Sequence, residues 1–254
     1  MSLSPTDYLL WGTGVALLVL TCGALLRRQL VRELPVFFTY VVFHVLRSAA
    51  LFTVHVLGLK QRMSYADYFY LYWTMETVSI ALGFLVINEI YRRIFHNYDA
   101  IRRLGSLVLA VAAVVLLIVA VVTAATASGA DPPGIVRSVL LMERSVRILQ
   151  CGLLMVVFLL VFYFGLRWQN RLFGLALGYG LYASVQLIVT TLRSHIGETV
   201  STAYSQAGSA AYVIGVMIWF GYLLIPDPAP QYRGVVLHGD VEKWNQALKE
   251  ILGP

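Results

Sequence analysis

The sequence predicts an all-α, polytopic membrane protein: a bundle of seven transmembrane helices with the N-terminus outside and the C-terminus in the cytoplasm. Three observations carry this. Hydrophobic residues make up 59% of the 254-residue chain and charged residues 13%, with a mean hydropathy of +0.76, whereas a soluble domain carries roughly 25% charge. Seven apolar stretches reach or approach the ~20 residues that cross a hydrocarbon core as a helix. The Lys and Arg residues between those stretches crowd into alternate gaps.

The stretches run over 8–26, 35–58, 65–91, 104–126, 136–166, 172–193 and 203–225. Lipid offers no hydrogen-bond partner to a bare backbone, so each must be a helix or part of a closed barrel. Their apolar runs are continuous and do not alternate, which selects helices. Gap one holds Arg27, Arg28 and Arg32, gap three Arg92, Arg93, Arg102 and Arg103, and gap five Arg167 and Arg171. Such residues stay on the cytoplasmic side. The intervening gaps are poorer, and the tail adds Arg233, Lys243 and Lys249. The net charge of +6 is therefore a sorting signal. Nucleic-acid binding fits worse, because the basic residues form no continuous stripe.

The first stretch carries its basic residues after the apolar run, so it reads as a span inserted N-end out and not as a secretory leader. Cys22 and Cys151 lie inside different spans and read as free thiols packed as small apolar groups. Asp131-Pro132-Pro133-Gly134 reads as an outer turn, and Pro226-Asp227-Pro228-Ala229-Pro230 ends the seventh span. Residues 1–225 thus form the transmembrane domain. Residues 226–254 are a Pro-rich linker and a short amphipathic cytoplasmic helix, capped by Asp240, with Val241, Trp244, Leu248 and Ile251 on one face. That helix is expected to lie in the bilayer interface, with docking of a cytoplasmic protein partner as the alternative.

The spans differ in polarity. Span four, from Leu107 to Ala125, is almost wholly aliphatic, and span one has only Thr13, Thr21 and Cys22 as mild polar groups; both are expected at the lipid-facing periphery. Lipid penalises central charges by a few kcal/mol each, so the other five spans should surround the interior. Small residues mark where helices can approach closely: Gly174 and Gly178 on span six, and Ala203, Ala207, Ala211 and Gly215 on span seven.

Counting rise along the helices fixes depth. Arg47 lies roughly 12 Å below the outer boundary and Glu76 roughly 9 Å below it, so an interior ion pair between them is expected. Gln186 and Tyr212 reach a similar level, with Tyr182 and Tyr179 deeper on span six. Span three presents Tyr65, Tyr68, Phe69, Tyr72, Trp73 and Glu76 on one face, read as an interfacial belt and core packing, with a binding wall as the alternative. Tyr40, His44 and Arg47 share a face of span two. Glu143, Arg147 and Gln150 share one on span five, with Arg144 beside them. The two arginines are expected as interfacial anchors if that face turns outward, which is the preferred reading. Turned inward, they would make the chamber mouth positive and favour anions. Together Arg47, Glu76, Gln186, Tyr212, Tyr182, Tyr72, Trp73, His44, Glu143, Arg147 and Gln150 outline a ligand-binding chamber or buried polar network in the outer half.

No catalytic set or metal motif is visible, and no cofactor is expected. The lysines are Lys60, Lys243 and Lys249, none within a span, which excludes a retinal Schiff base. Haem or metal at His44 lacks a facing partner at the same depth. The segment Asn88-Glu89-Ile90-Tyr91-Arg92-Arg93-Ile94-Phe95, followed by Ile101-Arg102-Arg103-Leu104-Gly105, resembles one in uncharacterised bacterial seven-span membrane proteins. More loosely, the chain is similar to the membrane sensor halves of bacterial signalling proteins. The resemblance implies a bacterial inner membrane and carries no activity. The expected function is a sensor or receptor-like protein that takes a small anionic or amphiphilic ligand. A transporter is the alternative, for which Asn88 and Glu89 hint at an inner polar route. A structural subunit or an intramembrane enzyme stands third.

Overall fold

The computed structural model of the chain describes residues 5–56, 65–96, 98, 99, 101–105, 132–164, 166, 169–196 and 201–225, with 107, 108, 110, 111, 114, 115, 118, 243 and 246 as single positions. Side chains at 55, 56, 65–73, 132–142, 193–196, 201 and 202 lie outside the description. Among the described residues the regular structure is entirely helical. Six long helices are α1 (Pro5–Arg27), α2 (Pro35–Val56), α3 (Tyr65–Ile94), α4 (Pro132–Tyr163), α5 (Asn170–Ile196) and α6 (Ser201–Leu224). All six are long and apolar enough to cross a membrane.

Helix α4 begins at Pro132, so the two prolines expected in a turn instead occupy its first helical positions. Proline is tolerated there because the first N–H groups of a helix have no intrahelical partner. At the other extreme, α1 ends in a Schellman motif. Gln29 takes the left-handed conformation (φ 55°), its N–H donates to the Leu26 carbonyl at 3.1 Å, and Leu30 N–H donates to the Leu25 carbonyl at 2.9 Å. This position usually falls to glycine.

The direction of each helix follows from which residues meet. Gln206 of α6 donates to Thr6 and Asp7 at the start of α1, and Arg28 after α1 donates to the Leu223 carbonyl at the end of α6 at 3.0 Å; these helices are parallel. Likewise α3 and α4 are parallel, since Glu76 meets Arg147 near their middle and Tyr91 and Phe95 pack with Val157, Val161 and Phe164 near their ends. Helices α2 and α5 run the other way.

The tightest packing is between α5 and α6. A Cβ on Gly178 would sit 2.8 Å from the Gly215 carbonyl oxygen, and one on Gly215 would sit 3.0 Å from the Gly178 oxygen. Absent side chains let the backbones touch there, and Trp219 closes the seam by donating to the Leu175 carbonyl at 3.2 Å. Ala203 and Ala207, on the same small-residue face, are exposed, and Ala211 is buried. The seam thus uses only part of the face. Helix α1 buries one stripe, Gly14, Leu18, Thr21 and Leu25, and leaves Leu9, Val19, Leu20 and Leu26 exposed, as a helix at the edge of a lipid-facing bundle should. The described side chains between 107 and 118 are exposed aliphatics: Leu107, Val108, Ala110, Val111, Val114, Val115 and Ile118.

The end of the bundle that carries the arginine-rich gaps is fastened by directional bonds. Glu89 of α3 reaches the first turn of α2, where its two carboxylate oxygens accept from Val36 N–H (3.2 Å) and Phe37 N–H (2.9 Å). Those N–H groups have no partner within α2, and the anion also faces the positive end of the helix dipole. Arg171 pairs with Glu33 at 3.0 Å, and Tyr91 donates to the Ile101 carbonyl at 2.6 Å.

Candidate functional site

A polar cluster lies at mid-bundle, where α2, α3, α4, α5 and α6 converge. Its centre is Glu76. Arg47 of α2 donates to Glu76 Oε2 at 2.5 Å, and Arg147 of α4 faces Glu76 Oε1 at 3.7 Å. One carboxylate therefore bridges two guanidinium groups from different helices. Arg47 and Glu76 are 15% and 13% exposed; Arg147 is 5% exposed. The face carrying Arg147 turns inward. This corrects the expectation that Arg147 is an interfacial anchor, and the reason is electrostatic: the Glu76 carboxylate and the ring of Tyr182, 5.2 Å from the guanidinium carbon, hold the cation inside. Arg144 is half-buried, as is Glu143, whose charge attracts Arg147 from four residues earlier.

From Arg147 a chain of bonds leads across the bundle. Its Nη1 donates to Gln150 Oε1 at 3.0 Å, and Gln150 Nε2 donates to the Tyr179 hydroxyl at 3.1 Å. Gln150 is wholly buried, and these two bonds satisfy both ends of its amide. Gly83 makes this crossing possible, because a Cβ there would collide with the Tyr179 hydroxyl. His44 forms a second branch. Its Nε2 is 3.0 Å from Ser79 Oγ and its Nδ1 is 3.3 Å from the Tyr212 hydroxyl. Its ring lies 4.3 Å from that of Tyr40, and Tyr212 in turn packs edge-on against Tyr182 at 5.4 Å.

Of the residues singled out in the sequence, the structure brings together Arg47, Glu76, His44, Arg147, Gln150, Tyr182 and Tyr212. Gln186 stands apart, against Gly208 of α6 and one helical turn beyond Tyr182. The side chains of Tyr72 and Trp73, like those of the aromatic stripe before them, lie outside the described residues. The sequence reading assigns no role to Ser79 or Gly83. Their signal is spacing: 76, 79 and 83 fall on one face of α3.

His44 has both ring nitrogens engaged by hydroxyl groups, so its buried position has a structural account. Among the described residues no three His, Cys, Asp or Glu side chains converge as metal ligands. Cys22 and Cys151 are free thiols, with Cys151 Sγ 3.8 Å from Ser184 Oγ. Glu89, read from the sequence as a hint of a transport route, is occupied in capping α2. No family model, curated protein or solved structure matches this chain.

Proposed function

We propose that the chain is a seven-span sensor of the bacterial inner membrane, which takes a small anionic or amphiphilic ligand at the Arg47–Glu76–Arg147 cluster and reports it through the C-terminal helix to a cytoplasmic partner. The topology reading rests on parity. Helices α3 and α4 are parallel, so the chain leaves α3 at one end of the bundle and enters α4 at the other. On this reading the connection from 95 to 131 crosses the bundle's height, which is supported by the aliphatic run 104–126 being long enough to serve as a seventh span. Charge then sets the direction, with the arginine-rich gaps inside.

The observation that carries the functional reading is the sharing of Glu76. One carboxylate divided between two buried guanidinium groups, with Glu143 acting on Arg147 only from a turn away, is an expensive arrangement at membrane depth unless an anion completes it. Ionisable groups within a membrane are costly and mark substrate, ion or ligand sites. A transporter needs a polar route to both faces, and the capped Glu89 weakens that alternative.

Two measurements test the proposal. Single cysteines at Ser2, Ser128 and Gly253, in a chain with Cys22 and Cys151 replaced by alanine, should react with a membrane-impermeant maleimide from the outside at positions 2 and 128 and from the inside at 253. Labelling of positions 2 and 128 from opposite sides would overturn the seven-span reading. A thermal-shift screen of small carboxylates and amphiphiles should yield stabilisation that Arg47→Ala abolishes; no such compound would end the sensor reading. Uptake into proteoliposomes that depends on Glu76 would favour the transporter.

A further inference from the structure

We infer that Arg147 is the anion-receiving group of the cluster, and that it takes a carboxylate side-on along its Nε–Nη2 edge. The inference rests on the sensor reading above and adds to it a ligand class and a docking atom pair. A guanidinium has two flat edges and two faces with which to bind. One face of Arg147 lies against the Tyr182 ring at 5.2 Å. The Nη1 end is held by Gln150 Oε1 at 3.0 Å. Nη2 meets Glu76 at 3.7 Å, too long for a hydrogen bond. Nε is buried and has no hydrogen-bond partner among the described residues. The donors without a hydrogen bond are thus Nε and Nη2, the latter held only by its long ion pair with Glu76; they point the same way and match the two oxygens of a carboxylate.

Charge selects among planar and tetrahedral anions. Arg47, Arg144 and Arg147 contribute +3 and Glu76 and Glu143 −2, leaving +1 around Arg147. A monocarboxylate neutralises it; a phosphate dianion would reverse it to −1 at a depth where uncompensated charge is penalised. Glu76 already has Arg47 at 2.5 Å, so it can surrender its long contact with Arg147 without being stranded. The carboxylate could come from water outside the bilayer or from a fatty acid within it, and the shared chemistry is the same.

The test uses the full chain in phosphatidylcholine nanodiscs with 15N-labelled arginine, the Arg147 Nε–H resonance being assigned by its loss in Arg147→Lys. Octanoate, acetate, methyl octanoate and inorganic phosphate are titrated in turn. Octanoate should shift that resonance saturably and methyl octanoate should not. Octanoate affinity is compared between the parent and the variants by thermal shift, since the resonance is absent from Arg147→Lys; that variant keeps the charge but lacks the edge, and one lost charge-assisted hydrogen bond of ~1.5–3 kcal/mol weakens octanoate binding by about ten- to a hundredfold. Both Arg147→Lys and Arg147→Gln leave the Arg47–Glu76 pair in place, so folding is checked directly by circular dichroism. Tighter binding of octanoate than of acetate supports a bilayer source, and equal binding supports an aqueous one. Octanoate binding of equal strength in Arg147→Lys overturns the inference; if Arg47→Ala still abolishes it, the sensor reading survives. Phosphate shifting the resonance at lower concentration than octanoate overturns the carboxylate class. Absence of any saturable shift, with no ligand from the wider screen, overturns both readings.

Discussion

Replacing Glu76 with glutamine strands two guanidinium groups at once, whereas replacing either arginine leaves a compensated pair. That asymmetry predicts an order of sensitivity. Glu76 is 13% exposed, Arg47 15% and Arg147 6% by side chain, so water screens them little. Removing one partner of a buried pair costs about 3–5 kcal/mol when the remaining charge is left uncompensated, and Glu76→Gln should fall in that range. Arg47→Gln forfeits the 2.5 Å bond but lets Glu76 close on Arg147, so roughly 1.5–3 kcal/mol is expected, the value of one charge-assisted hydrogen bond. Arg147→Gln removes a cation whose Nε has no partner, and its stability should lie within about 1 kcal/mol of the parent, as when buried ionic groups give way to neutral ones. The double variant Glu76→Gln/Arg147→Gln should be more stable than Glu76→Gln alone, because it removes one of the two stranded cations. Reversible unfolding in mixed micelles by titration with sodium dodecyl sulfate, followed by tryptophan fluorescence and circular dichroism, reads all four. If Glu76→Gln destabilised no more than Arg47→Gln, the bridging role assigned to Glu76 would be wrong.

Three further outcomes are expected in the same assay. Glu89→Ala removes the acceptor of the Val36 and Phe37 N–H groups and should lower stability by ~1–2 kcal/mol, the usual effect of losing a helix cap, with faster hydrogen exchange at those two amides; unchanged exchange would refute the capping role. Gly178→Ala places a methyl 2.8 Å from the Gly215 oxygen and 2.6 Å from Trp219 Nε1, so a loss of about 1–3 kcal/mol from overpacking is expected, while Gly152→Ala, with nothing within 4 Å, should be neutral. Gln29→Gly relieves a left-handed residue at the α1 cap and should raise stability by roughly 1 kcal/mol; a decrease would contradict the Schellman assignment.

How much of the molecule is legible in its sequence depends on which physical rule is in play. Helix length and apolar content are one-dimensional quantities, and the bounds of α2, α3 and α6 can be counted off the chain to within a few residues. Depth is also one-dimensional, since rise per residue is fixed, which is why residue counting alone puts Arg47 and Glu76 at one level. Rotation about the helix axis is different. Glu143, Arg147 and Gln150 share a face by spacing, but whether the face looks at lipid or at Glu76 depends on neighbours far away along the chain, and the outward reading fails there. Gly83 shows the same limit from the other side. Its missing side chain is meaningful only because Tyr179 and Gln150 happen to join across it. The Glu89 cap is illegible for a third reason: a carboxylate near the end of α3 looks like a transport residue until the N-terminus of α2 is found 2.9 Å away.

The distribution of fastenings along the bundle bears on mechanism. At the arginine-rich end, Arg28 bonds the end of α6, Glu89 holds the start of α2, and Arg171 pairs with Glu33 before it. These contacts tie α1, α2, α3, α5 and α6 together at one level. Alternating access would require that level to open, breaking the Glu89 cap and the Arg28–Leu223 bond, roughly 1.5–3 kcal/mol each, together with the exposed Arg171–Glu33 pair, which adds at most about 1 kcal/mol. At mid-bundle the situation is reversed: the long Glu76–Arg147 contact and the partnerless Nε leave α4 held to α3 more loosely than α2 is. A ligand that completes Arg147 would therefore act first on the α3–α4 contact while the arginine-rich end stays closed. That is what the proposed sensor requires, since it would transmit a small rearrangement without opening a passage. Hydrogen exchange with and without octanoate separates the two mechanisms. Protection confined to amides near 76–79 and 147–150 fits the sensor, whereas ligand-induced exposure at 36–37 would show the inner end opening and would move the assignment to transport.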